Sequence, residues 1–483
     1  MMNQDVYCNG EWISGYGAEI KSHNPANGEV VWKGASASLS DVGRCFIAAR
    51  KAFLSWKETS LDERIKILEN YREQLKLRRG QLKEAICKEM GKPLWDAEGE
   101  VNAAIAKIDL SITAYRERCP TKEGEAANGK TLLHHLPYGV MGVLGPYNFP
   151  LHLPNGHIVP AILAGNCVVF KPSEYTPSIS VLMIQCWEEA GVPKGVLNLV
   201  QGKGEVGKAL VSHPELDGLL FTGSAATGKQ ILSSLIETPG KLIALEMGGN
   251  NPLVVADVED TEAAAYNIIQ SAFITSGQRC TCARRLILVG EQEPLIKALI
   301  RQTSNLVVGS YNSTPAPFMG PVTSEAVAVE VESAFAVLLS RGAKQLVKLT
   351  PSSERYQMFS PGILDVTEVA ERPDEEYFGP MLQVIHVANL QQAIAEANRT
   401  RYGLTAGLLS DKAKDWEVFY RQIRTGVIHW NTPTTGASSA NPFGGLGDSG
   451  NLRPSAYYAA DYCAYPCSTI WKERVSIPAA QKK

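Results

Sequence analysis

From Asp41 to Arg118 apolar residues recur at spacings of three and four between charged ones, as in DERIKILENYREQLKLRRGQLKEAI. That spacing gathers the apolar side chains on one stripe of a helix and the charges on the other. The stretch therefore predicts long amphipathic helices. Ahead of it, Asn9-Gly10 stands between YC and EWI and is followed by polar residues. Asn-Gly suits the positive φ angles of a two-residue turn, so an opening hairpin is predicted there. Beyond Pro137 the texture changes to short apolar runs that end in Gly, Pro or polar turns: YGVMGVLGP, AGNCVVFKPS, GVLNLVQG and DGLLFTGS. Strands alternating with helices predict a parallel sheet with helical crossovers. The alternation resumes after Glu246 in NPLVVAD, ARRLILVG, a helix near residues 293 to 306, MLQVIHV and GLTAGLL. Two α/β lobes are expected, and with no internal repeat or low-complexity linker they should pack directly on each other. The final stretch is aromatic and poor in charge until SIPAAQKK, as an arm that needs a partner surface would be.

Composition narrows the function classes. A chain of 483 residues exceeds what a single hydrophobic core supports. With 45% hydrophobic residues, and 47 Lys+Arg against 50 Asp+Glu, it reads as an ordinary globular protein. A net charge of -3 and the lack of any basic block leave nucleic acid without an electrostatic footprint. The N-terminus MMNQDVYCNGEWISG lacks a basic segment followed by an apolar one. No window approaches about eighteen apolar residues, so neither secretion nor a membrane partner is expected. Ten dispersed cysteines are not a disulfide framework, and a reducing cytoplasm is the expected compartment. Without a CxxC pair or a His/Cys cluster of zinc spacing, no metal site is expected.

The strongest chemical signal is ITSGQRCTCARRL, where small residues and a glycine lead into Cys280. A thiolate is a strong nucleophile, forms near neutral pH where its surroundings favour the anion, and leaves readily from a thioester. LEMGGNNP, containing Glu246, precedes GQRC, containing Cys280, by about thirty residues, and this pair resembles the double signature of the aldehyde dehydrogenase superfamily. The resemblance implies that Cys280 is the nucleophile and that Glu246 activates the deacylating water. Glu246 follows the apolar run LIAL and precedes Gly-Gly, where desolvation would raise its pKa towards that of a useful base. In GPYNFP the resemblance makes Asn148 a donor to the oxyanion, together with a backbone N–H at the nucleophile. Cys282 reads as structural.

The cofactor implied is NAD. Residues 202 to 207, GKGEVG, fit GxGxxG after a strand, yet the acid that a Rossmann site requires about twenty residues later is missing. The resemblance points elsewhere, to FTGSAATG, where Gly223 and Ser224 open a helix towards the pyrophosphate and Phe221 and Gly228 belong to the same site. It also implies that Lys171 and Glu174 of KPSE hold the adenine ribose, that Glu376 of EEYFGP holds the nicotinamide ribose, and that Phe378 and Tyr147 pack by the nicotinamide. Tyr147 replaces the family's usual Trp. A carboxylate at Glu174 would repel a 2′-phosphate.

The resemblance implies an NAD-binding domain from 1–118 and 140–245, a catalytic domain from 246–435, and an oligomerisation arm from 119–139 and 455–483. The assembly implied is a homodimer or a dimer of dimers. The likeness extends through GPYNFPLHLPNGHIVPAILAGN, SGQRCTCARRL and TGASSANPFGGLGDSGNLRPSAYYAADYCAYP. It reaches family members of bacterial arginine degradation that oxidise a small semialdehyde with two free carboxylates. Such a substrate calls for cationic or hydroxyl donors, for which Arg453 and Ser439 are the candidates. Alternatives are succinate or glutamate semialdehyde as substrate, a CoA-acylating reaction, and a non-catalytic structural protein on the same fold.

Overall fold

The computed structural model describes residues 4–127, 129–352 and 357–475. Asn9 and Gly10, with φ of 52° and 78°, join β1 (Val6–Cys8) to β2 (Glu11–Ile13) in the expected hairpin. The polar stretch after it forms a second hairpin that the sequence did not announce, β3 (Glu19–His23) against β4 (Val30–Ala35). The helical region resolves into α1 (Leu39–Trp56), α2 (Leu61–Leu77), α3 (Arg79–Met90) and α4 (Leu94–Arg118). Ser38 and Ser60 start the first two through reciprocal capping boxes with Asp41 and Glu63, and left-handed Gly91 stops the third.

After the hairpin β5 (Lys122–Ala126) and β6 (Gly129–Pro137), the first lobe is built by regular alternation. Its elements are β7 (Val140–Leu144), α5 (His152–Leu163), β8 (Cys167–Lys171), α6 (Pro177–Glu189), β9 (Leu197–Val200), α7 (Gly204–Val211), β10 (Gly218–Gly223), α8 (Ala225–Ser234) and β11 (Leu242–Met247). The sheet runs β11-β10-β7-β8-β9-β1-β2, parallel except where the opening hairpin closes one edge. β8 is buried along its whole length, as a strand covered by helices on both faces must be. Chain order reverses between β7 and β10, so their carboxyl ends splay a crevice in which open α/β sheets hold ligands.

The second lobe begins with β12 (Asn251–Val255), α9 (Thr261–Phe273) and β13 (Ala283–Val289), and continues with α10 (Glu293–Ser304), α11 (Glu325–Ser340) and β14 (Lys344–Val347). A short pair, β15 (Thr350–Pro351) and β16 (Phe359–Ser360), precedes β17 (Gly362–Asp365), β18 (Met381–Val387), α12 (Leu390–Asn398), β19 (Thr405–Leu409), α13 (Ala413–Gln422) and β20 (Val427–Trp430). Its sheet, β14-β17-β18-β13-β12-β19-β20, is parallel apart from β14. The first lobe thus presents the carboxyl ends of β7, β10 and β11, while the second presents segments at the amino ends of β12, β13 and β18.

The chain finishes with the pair β21 (Pro442–Phe443) and β22 (Ser455–Ala456), the short helix α14 (Ala459–Cys463), and β23 (Ala464–Trp471). β23 pairs along its whole length with β6, making a three-stranded sheet with β5 on which Leu136, Tyr465, Ile470 and Trp471 are exposed. Two expected boundaries move. The division at 245/246 falls inside β11, because Glu246 is still a rung of the first sheet, beside Thr222. The stretch from 455 is not all arm: α14 buries Ala459, Ala460, Tyr462 and Cys463 in the core of the first lobe. Positions 476–483 of the expected arm lie outside the described residues.

The helical layer also fixes the crevice. Glu100 on α4 forms a buried ion pair with Lys92 at 2.7 Å, with side chains 0% and 1% exposed. Its second oxygen accepts the N–H groups of Leu151 and His152 at 2.9 and 3.2 Å, at the start of α5 and just past the turn that carries Asn148. Lys92 lies 3.5 Å from the ring centre of Phe149 in that turn. Lys92→Met strands a buried carboxylate and should lower unfolding stability by about 3–5 kcal/mol, read as a lower denaturant midpoint. A loss below about 1 kcal/mol would mean that the buried pair does not hold this layer together.

Candidate active site

β7 ends in the GPYNFP turn, and its Asn148 is buried, with the side-chain amide donating to the Gln278 carbonyl at 3.0 Å. A side chain from the first lobe thereby grips the loop that carries Cys280 in the second. That loop is an unusual backbone. Thr275, Ser276 and Gly277 have φ of 55°, 56° and 72°, three left-handed residues in succession. For the two that are not glycine this costs on the order of 1–2 kcal/mol each. Surrounding bonds hold the conformation. Thr275 donates to Asp96 at 2.6 Å, Arg279 reaches both Thr275 and Asp96 at 2.8 Å, and Ser276 donates to the Gly320 carbonyl at 2.7 Å. A Cβ on Gly277 would lie 2.1 Å from the Gly379 oxygen, so this position must be glycine.

The carbonyls around the thiol are held in the same way. Arg284 donates to Gly277 and Arg279 at 2.7 and 3.0 Å, Asn251 to Cys280 and Cys282 at 2.7 and 2.9 Å, and Thr434 to Thr281 at 2.8 Å. With its backbone pinned on both sides, half-buried Cys280 takes one position on the wall of a cavity of about 350 Å³. Sequence reasoning missed Asn251, Arg284, Thr434 and the Asp96–Arg279 pair. Asn251 and Arg284 stood inside the quoted motifs, but nothing in their spacing says that they brace a loop.

Glu246, near the end of β11, shares that cavity. One carboxylate oxygen accepts the Ser455 hydroxyl, and the other has no partner among the described residues. Burial pushes its pKa up to about 7, against the Ser455 hydrogen bond and the positive charge of Lys107. The expected desolvation of this carboxylate is therefore present. For Cys280 the direction is the opposite of an activated thiol: burial, then the negative charges of Glu246 and Glu376, hold its pKa well above the ordinary value, with Arg284 opposing. Of the two substrate candidates, Ser439 lines the cavity with its hydroxyl 3.5 Å from His152. Arg453 does not. It is exposed, and the group that feels its charge is Tyr138, outside the cavity.

The remaining predicted residues lie on the crevice side. Ser224 caps α8 by accepting the Thr227 N–H at 3.2 Å, at the carboxyl end of β10. Gly228 lets that helix press on β11, since a Cβ there would meet the Met247 sulfur at 2.2 Å, and Gly223 abuts the Phe221 ring. Lys171 donates to the Pro172 carbonyl at 2.6 Å and stands 4.0 Å from Glu174. Tyr147 packs edge-on against Phe378 and Tyr175, with ring centres 6.1 and 5.7 Å away. Glu376 accepts the Gly249 N–H at 3.1 Å and is raised to about 7 by burial. A Cβ on Gly248 would fall 1.6 Å from this carboxylate, which explains the first glycine of the Gly-Gly pair, and one on Gly249 would fall 2.3 Å from the Asn251 amide oxygen. Gly204 of GKGEVG opens α7, and Gly207 lies beside Lys171.

These parts suit a dinucleotide. Carboxylates at Glu174 and Glu376 can accept ribose hydroxyls, the amino end of α8 can face a pyrophosphate, and the rings of Tyr147 and Phe378 offer flat apolar walls.

Comparison with known proteins agrees with this geometry. The model of the aldehyde dehydrogenase family matches residues 12–466. The chain is 51% identical over 474 residues to N-succinylglutamate 5-semialdehyde dehydrogenase of Ectopseudomonas mendocina (strain ymp), covering 98% of this chain and 97% of that one. Among solved structures, 1-pyrroline-5-carboxylate dehydrogenase from Thermus with bound NAD superposes with a TM-score of 0.90 at 30% identity, over 97% of this chain and 92% of the other. NADP-dependent glyceraldehyde-3-phosphate dehydrogenase from Bacillus halodurans C-125, complexed with NADP, gives 0.91 at 28% identity, over 98% and 99% of the two chains.

Because two carboxylates hold the Cys280 thiol up, removing one charge should free it. In the protein without cofactor, Glu376→Gln should speed iodoacetamide alkylation of Cys280 at neutral pH by about two- to tenfold and move the midpoint of its pH dependence down. An unchanged midpoint would mean that burial alone sets the thiol.

Proposed function

The chain belongs to the aldehyde dehydrogenase family, and on that premise we propose that it oxidises N-succinyl-L-glutamate 5-semialdehyde to N-succinyl-L-glutamate with NAD. The observation that supports this most is that Cys280 and Glu246 line one cavity while the amide of Asn148 grips the same loop. Identity of 51% to a relative of that name carries the choice of substrate. NAD, when bound, supplies the acceptor for the hydride. The chain's residues do the rest.

The Cys280 thiol gives up its proton to solvent as Sγ bonds to the aldehyde carbon, and the resulting oxyanion is held by the second N–H of Asn148 and the backbone N–H at the nucleophile. Hydride loss from that carbon leaves a thioester on Cys280. Glu246 then takes a proton from water through its unpartnered oxygen, the hydroxide adds to the thioester carbonyl, and the C–S bond breaks to release the acid. The proton on Glu246 restores the thiol. A CoA-acylating reaction would not need this base, and a carboxylate poised at about 7 beside the thiol favours hydrolysis. Ser439 is the hydroxyl donor assigned to the substrate. With Arg453 outside the cavity, Arg279 takes the cationic place.

The first lobe, 1–118 and 140–247 once β11 is included, is the cofactor lobe, and 248–435 is the catalytic lobe. Segment 119–139 and the chain from β23 onward form the assembly arm, whose exposed apolar side chains suit a homodimer or dimer of dimers. A cytoplasmic location accords with the free thiols, and no helix among the described residues is long and apolar enough to cross a membrane.

The test is NADH formation from a panel of semialdehydes with and without CoA. The succinylated substrate should give the highest kcat/KM without CoA. Cys280→Ala should abolish NADH formation. Glu246→Gln should keep a single-turnover burst while steady turnover falls about 10²- to 10⁴-fold. A requirement for CoA, or equal preference for succinate semialdehyde, would overturn the reading.

A further inference from the structure

Lys107 is a buried lysine that the reaction above leaves without a role. It sits on α4 with 1% of its surface exposed and lines the same cavity as Cys280 and Glu246. Its ammonium donates to the Ala456 carbonyl at 2.7 Å, and the preceding residue, Ser455, is the one that holds Glu246. Neighbouring buried charges come in pairs. Arg279 has Asp96 at 2.8 Å, and Glu100 has Lys92 at 2.7 Å. Among the described residues Lys107 has a carbonyl and no carboxylate in contact, a costly arrangement for a buried ammonium unless an anion acts on it from close by.

The groups around it identify that anion. From α5, His152 and His157 both feel Lys107 and are held neutral, at about 3, by burial. His157 is further engaged by Thr222 at 2.9 Å and Tyr462 at 3.1 Å. From α14, the Cys463 thiol is pushed up by burial and stays protonated. On α4 itself, Glu100 already has Lys92. Glu246 on β11 remains, and each of the two acts electrostatically on the other.

We propose that Lys107 is a positioning residue for thioester hydrolysis: anchored on the Ala456 carbonyl, its ammonium keeps Glu246 as a carboxylate whose free oxygen faces the attacking water. This rests on the assignment of Glu246 as the hydrolytic base. The ranges are matched, since burial lowers Lys107 to about 8 and it is still cationic where Glu246 ionises, at about 7. The sign follows from Coulomb attraction. Loss of the ammonium raises the pKa of Glu246, so the acid limb of steady turnover moves to higher pH, while a neutral Glu246 holds the Cys280 thiol up less and the burst is retained.

The experiment compares Lys107→Gln, which keeps a donor for Ala456 but no charge, with Lys107→Arg, which keeps the charge, and with Glu246→Gln. Burst and steady-state NADH formation are followed across the acid limb. Lys107→Gln should retain the burst, shift the acid midpoint of kcat up by about one unit, lose about tenfold in kcat at pH 6, and recover by about pH 9. Lys107→Arg should restore the midpoint. A Lys107→Gln profile lowered by one factor at every pH, or left unchanged while Glu246→Gln stops turnover, would overturn the role of Lys107 alone. Normal steady turnover in Glu246→Gln would overturn the hydrolytic base and this inference together.

Discussion

Everything at the thiol depends on a backbone that would not hold its shape alone. The left-handed run Thr275-Ser276-Gly277 turns α9 back towards β13, and side chains from α4, β12, β13 and the segment after β20 compensate its strain by taking the loop's polar groups one by one. The same bonds join the lobes. Asp96 and Asn148 belong to the first lobe, yet both act on the loop of the second. Orientation of Cys280 and the joining of the lobes are therefore one interaction, and a change at either side is felt at the other.

Electrostatics adds a second constraint. Buried Glu246 and half-buried Glu376 are both raised to about 7 by desolvation, and after burial itself both hold up the Cys280 thiol. Burial and the neighbouring carboxylates both disfavour the thiolate of Cys280. Among the described residues Arg284 opposes the two acids at the thiol.

Much of the fold was legible because periodicity reports burial. The helical region from Asp41, the strands of both lobes and the Asn9-Gly10 turn all fall where spacing places them. Glu246, Cys280 and Asn148 could be singled out because their motifs are distinctive, and the structure sets the first two on one cavity and ties the third to the Cys280 loop. The β3–β4 hairpin was not, since its polar strands carry no alternation strong enough to read. Arg453 looked like a substrate cation because arginine types suit carboxylates, but which way a loop residue faces is a tertiary fact. Lys107 was hidden for the converse reason. On α4 it reads as the polar side of an amphipathic helix, whereas Asp96, Glu100 and Lys107 form an inward polar stripe that becomes the cavity wall.

The short helix α14 has a consequence in time. Asn166 in the first lobe donates to the Cys463 carbonyl at 2.7 Å, and His157 meets Tyr462, so residues near the C-terminus complete a core begun some 300 positions earlier. A ribosome making this chain cannot release a finished first lobe. The core beneath α4 and α5 stays incomplete until the second lobe has been synthesised and the last segment has come back to fill it. The first lobe is thus begun before the second and finished after it, and a message truncated before α14 would encode a first lobe with its core incomplete.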